Sequence, residues 1–321
     1  MRKRTRYFSS QTPDPWAETR PQTVSSGRTA QHWDSRRGLA PTPQWTRRRR
    51  RRISCLPVLL LGALLVILGV YFLAPFRTNL LILGIDYTPW YSAVGRSDTI
   101  ILATVKPFDP YVGMLSIPRD LWVTIPGYGE NRINTAHFFA EAQQTGSGPA
   151  AAMQTVRSNF GVDVDYYLRI RFDGFREVVN AMGGVDLDLP EPMAGYPAGQ
   201  YHLSGNKALA FARHRMGSDD FFRMKNGQFL MKAVFRQMLS PTEWPRLPGV
   251  GLALVRSVDT NLPVWEWPRI AMALLRAGPD GIDNRTIERE MVNPILTDQG
   301  ANVLLPNWTL INPVLLDMFG Q

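Results

Sequence analysis

Two aspartates and five arginines, spread from Asp86 to Arg223, are the residues of this chain whose types and spacing could do chemistry. Asp86 closes an apolar run, Asn-Leu-Leu-Ile-Leu-Gly-Ile-Asp (79–86). Asp98 closes Gly-Arg-Ser-Asp (95–98), just before a second apolar run, Thr99–Val105. Both carboxylates therefore fall at the edges of expected strands, where a sheet ends and a site can begin. The arginines are Arg96, Arg119 in Ile-Pro-Arg-Asp (117–120), Arg213 and Arg215 in Ala-Arg-His-Arg (212–215), and Arg223 in Asp-Phe-Phe-Arg (220–223). Two carboxylates can hold a hard divalent cation that also takes phosphate oxygens from a substrate. Guanidinium forks suit the remaining phosphate oxygens, because they present paired donors in one plane. The combination points to chemistry on a phosphate or pyrophosphate.

These residues need a scaffold, and the pattern predicts an α/β domain with a mixed central sheet flanked by helices. Leu80–Ile85, Thr99–Val105 and Val112–Ile117 read as buried strands. Val164–Arg171 and Val185–Leu189 read as two more. Helices are expected over 149–160, Phe172–Met182, Leu203–Ala210 and Phe222–Leu239. The Arg-x-Arg segment that follows the third helix reads as extended, which would put Arg213 and Arg215 on one face and His214 on the other. Residues 79–240 suffice for one core. Pro241, Pro245 and Pro248 mark a boundary. Residues 241–321 hold two short helical stretches and one strand candidate, Thr286–Val292, and are expected to pack on the first domain.

Residues 53–76 carry no charge and are long enough to span ~30 Å of hydrocarbon. Six consecutive arginines, Arg47–Arg52, precede them, and only Arg77 follows closely. The positive-inside rule then puts the N-terminus in the cytoplasm and the chain after Phe76 outside it. A cleaved signal peptide is the rival reading. The long leader and the lack of an Ala-x-Ala site favour an uncleaved anchor. Residues 1–52 hold 14 Lys and Arg against 3 Asp and Glu, so they carry +11 of a total of +9, and the rest sums to −2. The basic character belongs to the arm, which reads as disordered and able to touch anionic lipid. The folded part lacks the basic balance that nucleic-acid binding needs.

The single cysteine, Cys55, excludes an intramolecular disulfide and a thiolate metal site. The four histidines show no metal-ligand spacing. Neither a Gly-x-Ser-x-Gly elbow nor a Walker-type Gly-Lys-Ser/Thr occurs, which removes serine esterases of that type and P-loop enzymes.

Over residues 79–239 the chain resembles the LytR-CpsA-Psr family of bacterial cell-wall proteins. The resemblance rests on Leu-Gly-Ile-Asp (83–86), Gly-Arg-Ser-Asp-Thr (95–99), Ser-Ile-Pro-Arg-Asp (116–120) and Arg-Ile-Asn-Thr-Ala (132–136). It continues through Ala-Met-Gly-Gly-Val (181–185), Leu-Ser-Gly-Asn-Lys-Ala-Leu (203–209), Ala-Arg-His-Arg and Asp-Phe-Phe-Arg. It implies transfer of a phosphate-linked glycopolymer from a polyprenyl pyrophosphate carrier onto peptidoglycan, with the lipid tail in an apolar pocket of the core. The implied metal ligands, for magnesium or manganese, are Asp86 and Asp98. The implied pyrophosphate contacts are Arg96, Arg119, Arg132, Arg213, Arg215 and Arg223, and Asp220 matches an acidic family position and is a candidate base. One stretch departs from the family. Where it has Arg-x-x-Arg-Gln, this chain has Arg223-Met224-Lys225-Asn226-Gly227-Gln228, so Lys225 or Gln228 would have to substitute from a position turned ~100° away on the helix.

Several residues also have plainer readings. Asp86 and Asp98 could cap turns. Arg213 and Arg215 could form surface ion pairs, and Arg119 could pair with Asp120. Arg169, Arg171 and Arg176 read as solvated faces. The rival functions are a polyprenyl pyrophosphate hydrolase, which would share the phosphate-binding residues, a non-catalytic lipid- or wall-binding module, and a transcription regulator, which the topology and the charge balance oppose.

Overall fold

The computed structural model describes residues 55–73, 77–86, 94–107, 111–214, 220–278 and 280–320. The arginine-rich arm, residues 53–54 and 74–76 of the expected span, and Arg215 lie outside them. In chain order, α1 (Leu56–Leu73) precedes β1 (Thr78–Asp86), β2 (Arg96–Lys106) and β3 (Tyr111–Ile117). A hairpin of β4 (Trp122–Ile125) and β5 (Gly129–Arg132) leads to α2 (Asn134–Gln143) and α3 (Gly148–Phe160). Then come β6 (Tyr166–Arg171), α4 (Phe172–Ala181), a hairpin of β7 (Val185–Leu189) and β8 (Gly199–Leu203), α5 (Gly205–Arg213) and α6 (Asp220–Leu239). The remainder forms α7 (Leu247–Ser257), β9 (Val258–Thr260), α8 (Trp267–Ala277), β10 (Ile282–Thr286), β11 (Val292–Leu296), β12 (Asn302–Pro306) and α9 (Trp308–Phe319).

Six strands form one sheet in the order β10-β3-β2-β1-β6-β9. It is mixed: β1 runs parallel to β6 and β10 parallel to β3, while the other pairs are antiparallel. Both edge strands come from the chain after Pro241. The apolar run of β1 puts it at the centre of the sheet, with side chains buried on both faces. Leu81, Leu83 and Ile85 face α2, α3 and α9, in a core that includes Val156, Phe160, Ile311 and Phe319. Leu80 and Ile82 face the other way, toward α6 and α8. A further apolar cluster joins α4, α5, α6 and the β7–β8 hairpin.

Two sequence expectations change, and a third, the span over 53–76, lies partly outside the described residues. The Thr286–Val292 strand does not form: the ladder with β3 ends at Thr286 opposite Ser116, and a tight turn closed by Met291 N–H on Glu288 O precedes β11. Arg213 does not begin an extended Arg-x-Arg segment. It ends α5, because Gly205, Ala208 and Phe211 bury one helical face, at three-residue spacing. The uncharged stretch yields an 18-residue helix, α1. At 1.5 Å per residue that is ~27 Å, short of the ~30 Å hydrocarbon core. No helix among the described residues is long and apolar enough to cross a membrane.

Candidate active site

Asp98 owes its position to an irregularity between β1 and β2. Gly84 pairs with Thr99 and Ile85 with Ser97, so Asp98 is the extra residue of a β-bulge. A bulge breaks the strict alternation of side chains and re-aims one of them. Beyond it, Asp86 and Arg96 stand opposite each other at the end of the ladder. Arg119 arrives from the turn after β3, and α6 brings Asp220 and Arg223 on its first turn.

The result is a connected set of charges. Arg119 Nη1 donates to Asp98 Oδ1 at 2.7 Å, and its Nε lies 3.5 Å from carboxylate oxygens of both Asp120 and Asp220. Arg223 donates to the backbone carbonyl of Asp98 at 2.7 Å and pairs with Asp220 at 3.0 Å. Arg213 Nη2 donates to Asp86 Oδ2 at 2.7 Å, while its guanidinium packs over the ring of Phe172. Arg132 lies 3.3 Å from Asp120. Burial pulls the pKa of Arg119 down, but the hydrogen bond and charge of Asp98, with the charges of Asp220 and Asp120, outweigh it and hold the group above its ordinary value.

Asp86, Arg96, Asp98, Arg119, Asp120, Arg132 and Asn134 border one open cavity of about 470 Å³. Arg96 is exposed there and lies over the ring of Phe138, 5.5 Å from its centroid. Next to this cavity is an apolar cleft between the sheet and α4, α5 and α6. Its walls include Ile82, Ile101, Ile170, Phe175, Leu209 and Met231, and Asp98 and Arg223 stand at its rim. A cluster of charges and a slot for hydrocarbon thus share one border.

Asp86, Asp98, Arg96, Arg119, Arg132, Arg213, Asp220 and Arg223 are brought together. Gln228 is not part of the charge cluster: its Nε2 donates to Ser116 Oγ at 2.9 Å and to Arg285 O at 2.6 Å. Lys225 is exposed and pairs with Glu191 at 2.7 Å, and Asn226 is buried with its amide on His214 O. Neither of the suggested substitutes for the missing family residues reaches the cluster. Arg169 is no solvated strand residue. It bridges Glu141 at 3.2 Å and Asp259 at 2.6 Å and contacts His137 Nε2 at 3.2 Å, because β6 lies inside the sheet and three partners close over it. Sequence reasoning missed Phe138 and Phe172, the aromatic rests of Arg96 and Arg213, and it missed Asn134. No spacing rule marks a ring as the platform of a distant arginine.

The donor set can be tested against a hard divalent cation. Two carboxylates, Asp86 and Asp98, border the same cavity. Asn134 Oδ1 is buried at its edge with no hydrogen-bond partner, and such cations take amide as well as carboxylate oxygens. No group of three or more His, Cys, Asp or Glu among the described residues could hold a metal. Magnesium is often held by one or two carboxylates plus substrate phosphates and water, so a partial set of this kind fits.

The family model of the LytR_cpsA_psr family matches residues 76–307. The polyisoprenyl-teichoic acid–peptidoglycan teichoic acid transferase TagU of Oceanobacillus iheyensis is 38% identical over 141 residues, 43% of this chain and 43% of the relative. The corresponding TagV of Bacillus subtilis is 28% identical over 59% of this chain and 50% of the relative. The chain thus spans about half the length of these relatives. Among solved structures, B. subtilis TagV superposes with a TM-score of 0.63 at 24% identity, covering 77% of this chain and 98% of that one. TagT bound to LI-WTA gives 0.60 at 20% identity, over 76% of this chain and 91% of that one. These superpositions establish a shared fold.

Proposed function

The chain belongs to the LytR_cpsA_psr family, and from that premise we propose that it is a membrane-anchored, extracytoplasmic phosphotransferase. It moves a phosphate-linked glycopolymer from a polyprenyl pyrophosphate carrier to peptidoglycan. The observation that carries this reading is the shared border between the charge cluster and the apolar cleft. A polyprenyl pyrophosphate has a doubly charged head and a hydrocarbon tail, and those two environments match its two ends.

The chemistry follows from what the residues offer. Phosphoryl transfer depends mainly on positioning and on neutralising charge. Arg96 has no ion pair among the described residues and can take a phosphate oxygen directly. Arg119 and Arg213 stand paired with Asp98 and Asp86. A phosphate oxygen competes for the same guanidinium donors, so substrate arrival exchanges carboxylate partners for phosphate partners. Asp86 and Asp98 would hold magnesium or manganese, which when bound withdraws charge from the pyrophosphate oxygens. Asp220 lies between Arg119 and Arg223, which suits orienting those two arginines better than taking a proton. The acceptor is a sugar hydroxyl of peptidoglycan: its oxygen bonds the glycan-bearing phosphorus, the pyrophosphate P–O bond breaks, polyprenyl monophosphate leaves, and the hydroxyl proton passes to solvent. A loose transition state places little demand on a base.

Residues 53–76 supply the anchor in this reading, with Arg47–Arg52 holding the N-terminus inside. The side chains of α1 support it: Leu59, Leu61, Leu65 and Ile67 are all exposed, a state water disfavours and lipid does not. A C-terminal reporter active only in the cytoplasm would sink this topology. The reaction itself is tested with purified full-length protein, a polyprenyl pyrophosphate-linked glycan and peptidoglycan. Glycan covalently joined to peptidoglycan is the expected product. Release of free glycan phosphate regardless of acceptor would indicate a hydrolase, and tight lipid binding without turnover would indicate a binding module.

A further inference from the structure

The strip from Val264 to Leu275 is apolar on both sides. Its inner side is accounted for: Ala273 is buried, and Ile270, Leu274 and Ala277 pack against Leu80, Val105 and Val112 of the sheet. Its outer side is not. Val264 is 81% exposed and Trp265 66% in the tight turn Val264–Glu266, and Leu275 is 52% exposed on α8. Pro268, Ala271 and Met272 are exposed between them. Positions 264, 265, 268, 272 and 275 recur at three- and four-residue steps, so they form one continuous stripe along the helix. Leu252 and Val255 on α7 add exposed apolar surface. A tryptophan and large aliphatic side chains on one stripe are costly to leave in water, and such stripes mark interaction surfaces.

Two contacts indicate what covers it. The outer end of α1 meets α8: the Arg269 guanidinium lies 5.8 Å from the centroid of the Tyr71 ring. Along α1 the side chains are exposed until the last turn, where Tyr71 and Phe72 become half-buried. The stripe therefore begins where the anchor reaches the domain. The second contact is through the cleft. Met231 lines the apolar cleft and also packs in the cluster that α8 covers. The apolar path thus runs from the charge cluster at Asp98, along the sheet, to the α8 side. From Asp86 to Thr78 the sheet extends ~26 Å at 3.3 Å per residue, so the charged end and the anchored end lie at opposite ends of β1. Arg276 lies at the far end of the stripe; its Nη1 donates to Pro107 O at 2.7 Å, and the residue is otherwise exposed, so its remaining donors are placed for an anionic headgroup.

We propose that the outer face of the Val264–Glu266 turn and α8, led by Trp265, rests in the interfacial zone of the bilayer and seats the domain with the tail end of its cleft toward the lipid. This inference rests on the reading of residues 53–76 as a membrane anchor. Trp favours that zone, where an amphipathic ring can face both lipid and water.

The single cysteine allows a direct test on the full-length protein. In a Cys55→Ser background, one cysteine is introduced at Met272 or at Leu275 and spin-labelled. Control labels sit at Leu64, inside the anchor, and at Gln154, exposed on α3 across the sheet from α8. Each protein is reconstituted in phosphatidylcholine–phosphatidylglycerol vesicles, with matching melting curves required. Collision with oxygen, which concentrates in lipid, is compared with collision with a water-soluble nickel chelate. The expected result is an oxygen-to-nickel ratio several-fold higher at Met272 and Leu275 than at Gln154. A ratio at Met272 and Leu275 equal to that at Gln154 would overturn the proposal; if Leu64 still reports lipid, the anchor reading survives. A water-like ratio at Leu64 would defeat the anchor and the proposal that rests on it. Low collision with both reagents at Met272 would mean that protein, a second copy or a partner, covers the stripe, and would also overturn the proposal.

Discussion

Gly84 on β1 faces Thr99 on β2 with no room for a methyl group: a Cβ on Gly84 would lie 2.9 Å from Thr99 Cβ. This close approach sits at the bulge that leaves Asp98 unpaired. The strands can close only because residue 84 has no side chain, and their closure sets where the Asp98 carboxylate points. Gly84→Ala is therefore expected to do more than strain the core. Overpacking of this kind costs about 1–3 kcal/mol. Transfer activity should fall further than the change in melting temperature accounts for, because Asp98 moves relative to Arg119. A variant with lowered melting temperature but full activity at low temperature would refute the link between bulge and site.

The arginines separate into those of the charge cluster, Arg213 among them through Asp86, and those that hold the fold. Arg213→Ala should lower transfer by on the order of 2–4 kcal/mol in transition-state stabilisation, if it acts like other preorganised donors. Arg176→Ala removes an exposed pair with Asp173 and should stay within about 0.5 kcal/mol of the parent in stability and in activity. Arg169→Ala belongs to a third kind. It removes the guanidinium that pairs with Glu141 and Asp259 and contacts His137, so the melting temperature should drop. Parallel melts and transfer assays distinguish the three. Equal loss of activity in folded Arg213 and Arg176 variants would remove the assignment of Arg213.

The central strands were legible because β1, β2 and β3 are apolar runs of the right length, and the ends of the first two put Asp86 and Asp98 near one another. The bulge was not legible, since one extra residue leaves no mark on an alternation already interrupted by Gly84 and Gly95. The short Arg-x-Arg segment misled because Leu209, Phe211 and Arg213 alternate like a strand, while burial selects Ala208 and Phe211 on a helix face. Arg169 misled for a related reason: nothing local in Tyr-Leu-Arg-Ile reveals Glu141 and Asp259, which reach it from α2 and β9.

Acid should weaken the fold through His137. Burial lowers its pKa first, and the neighbouring Arg169 charge lowers it further. The neutral ring with its proton on Nδ1 satisfies both contacts, donating to Gly95 O and accepting from Arg169 at Nε2. The folded pKa lies below the unfolded value of about 6.5. The unfolded chain therefore binds more protons in that window, and stability is lost as pH falls from neutral toward the folded pKa. Melting temperatures measured from pH 7.5 to 5 should decline, and His137→Gln should flatten that slope. A His137→Gln profile with the same slope as the parent would assign the acid sensitivity to other groups.

Gly227 offers the sharpest separation of stability from lipid binding. It lies within α6 and borders the apolar cleft, and a Cβ there would meet nothing within 4 Å. Glycine inside a helix costs about 0.5–1 kcal/mol relative to alanine, so Gly227→Ala should raise stability by roughly that amount. The cleft as it stands holds about 100 Å³, the room of a few water molecules, so the polyprenyl chain of the proposed substrate would have to widen it. A larger side chain at this position competes for the same space. Gly227→Leu should fold, fill the cleft and abolish retention of polyprenyl phosphate through detergent extraction, read by mass spectrometry. Each excluded methylene forfeits about 0.8 kcal/mol of burial, so the loss of retained lipid should be complete rather than partial. Stable Gly227→Leu protein that still carries the lipid would show that the chain runs elsewhere, and the reading of this cleft as the tail site would fall with it.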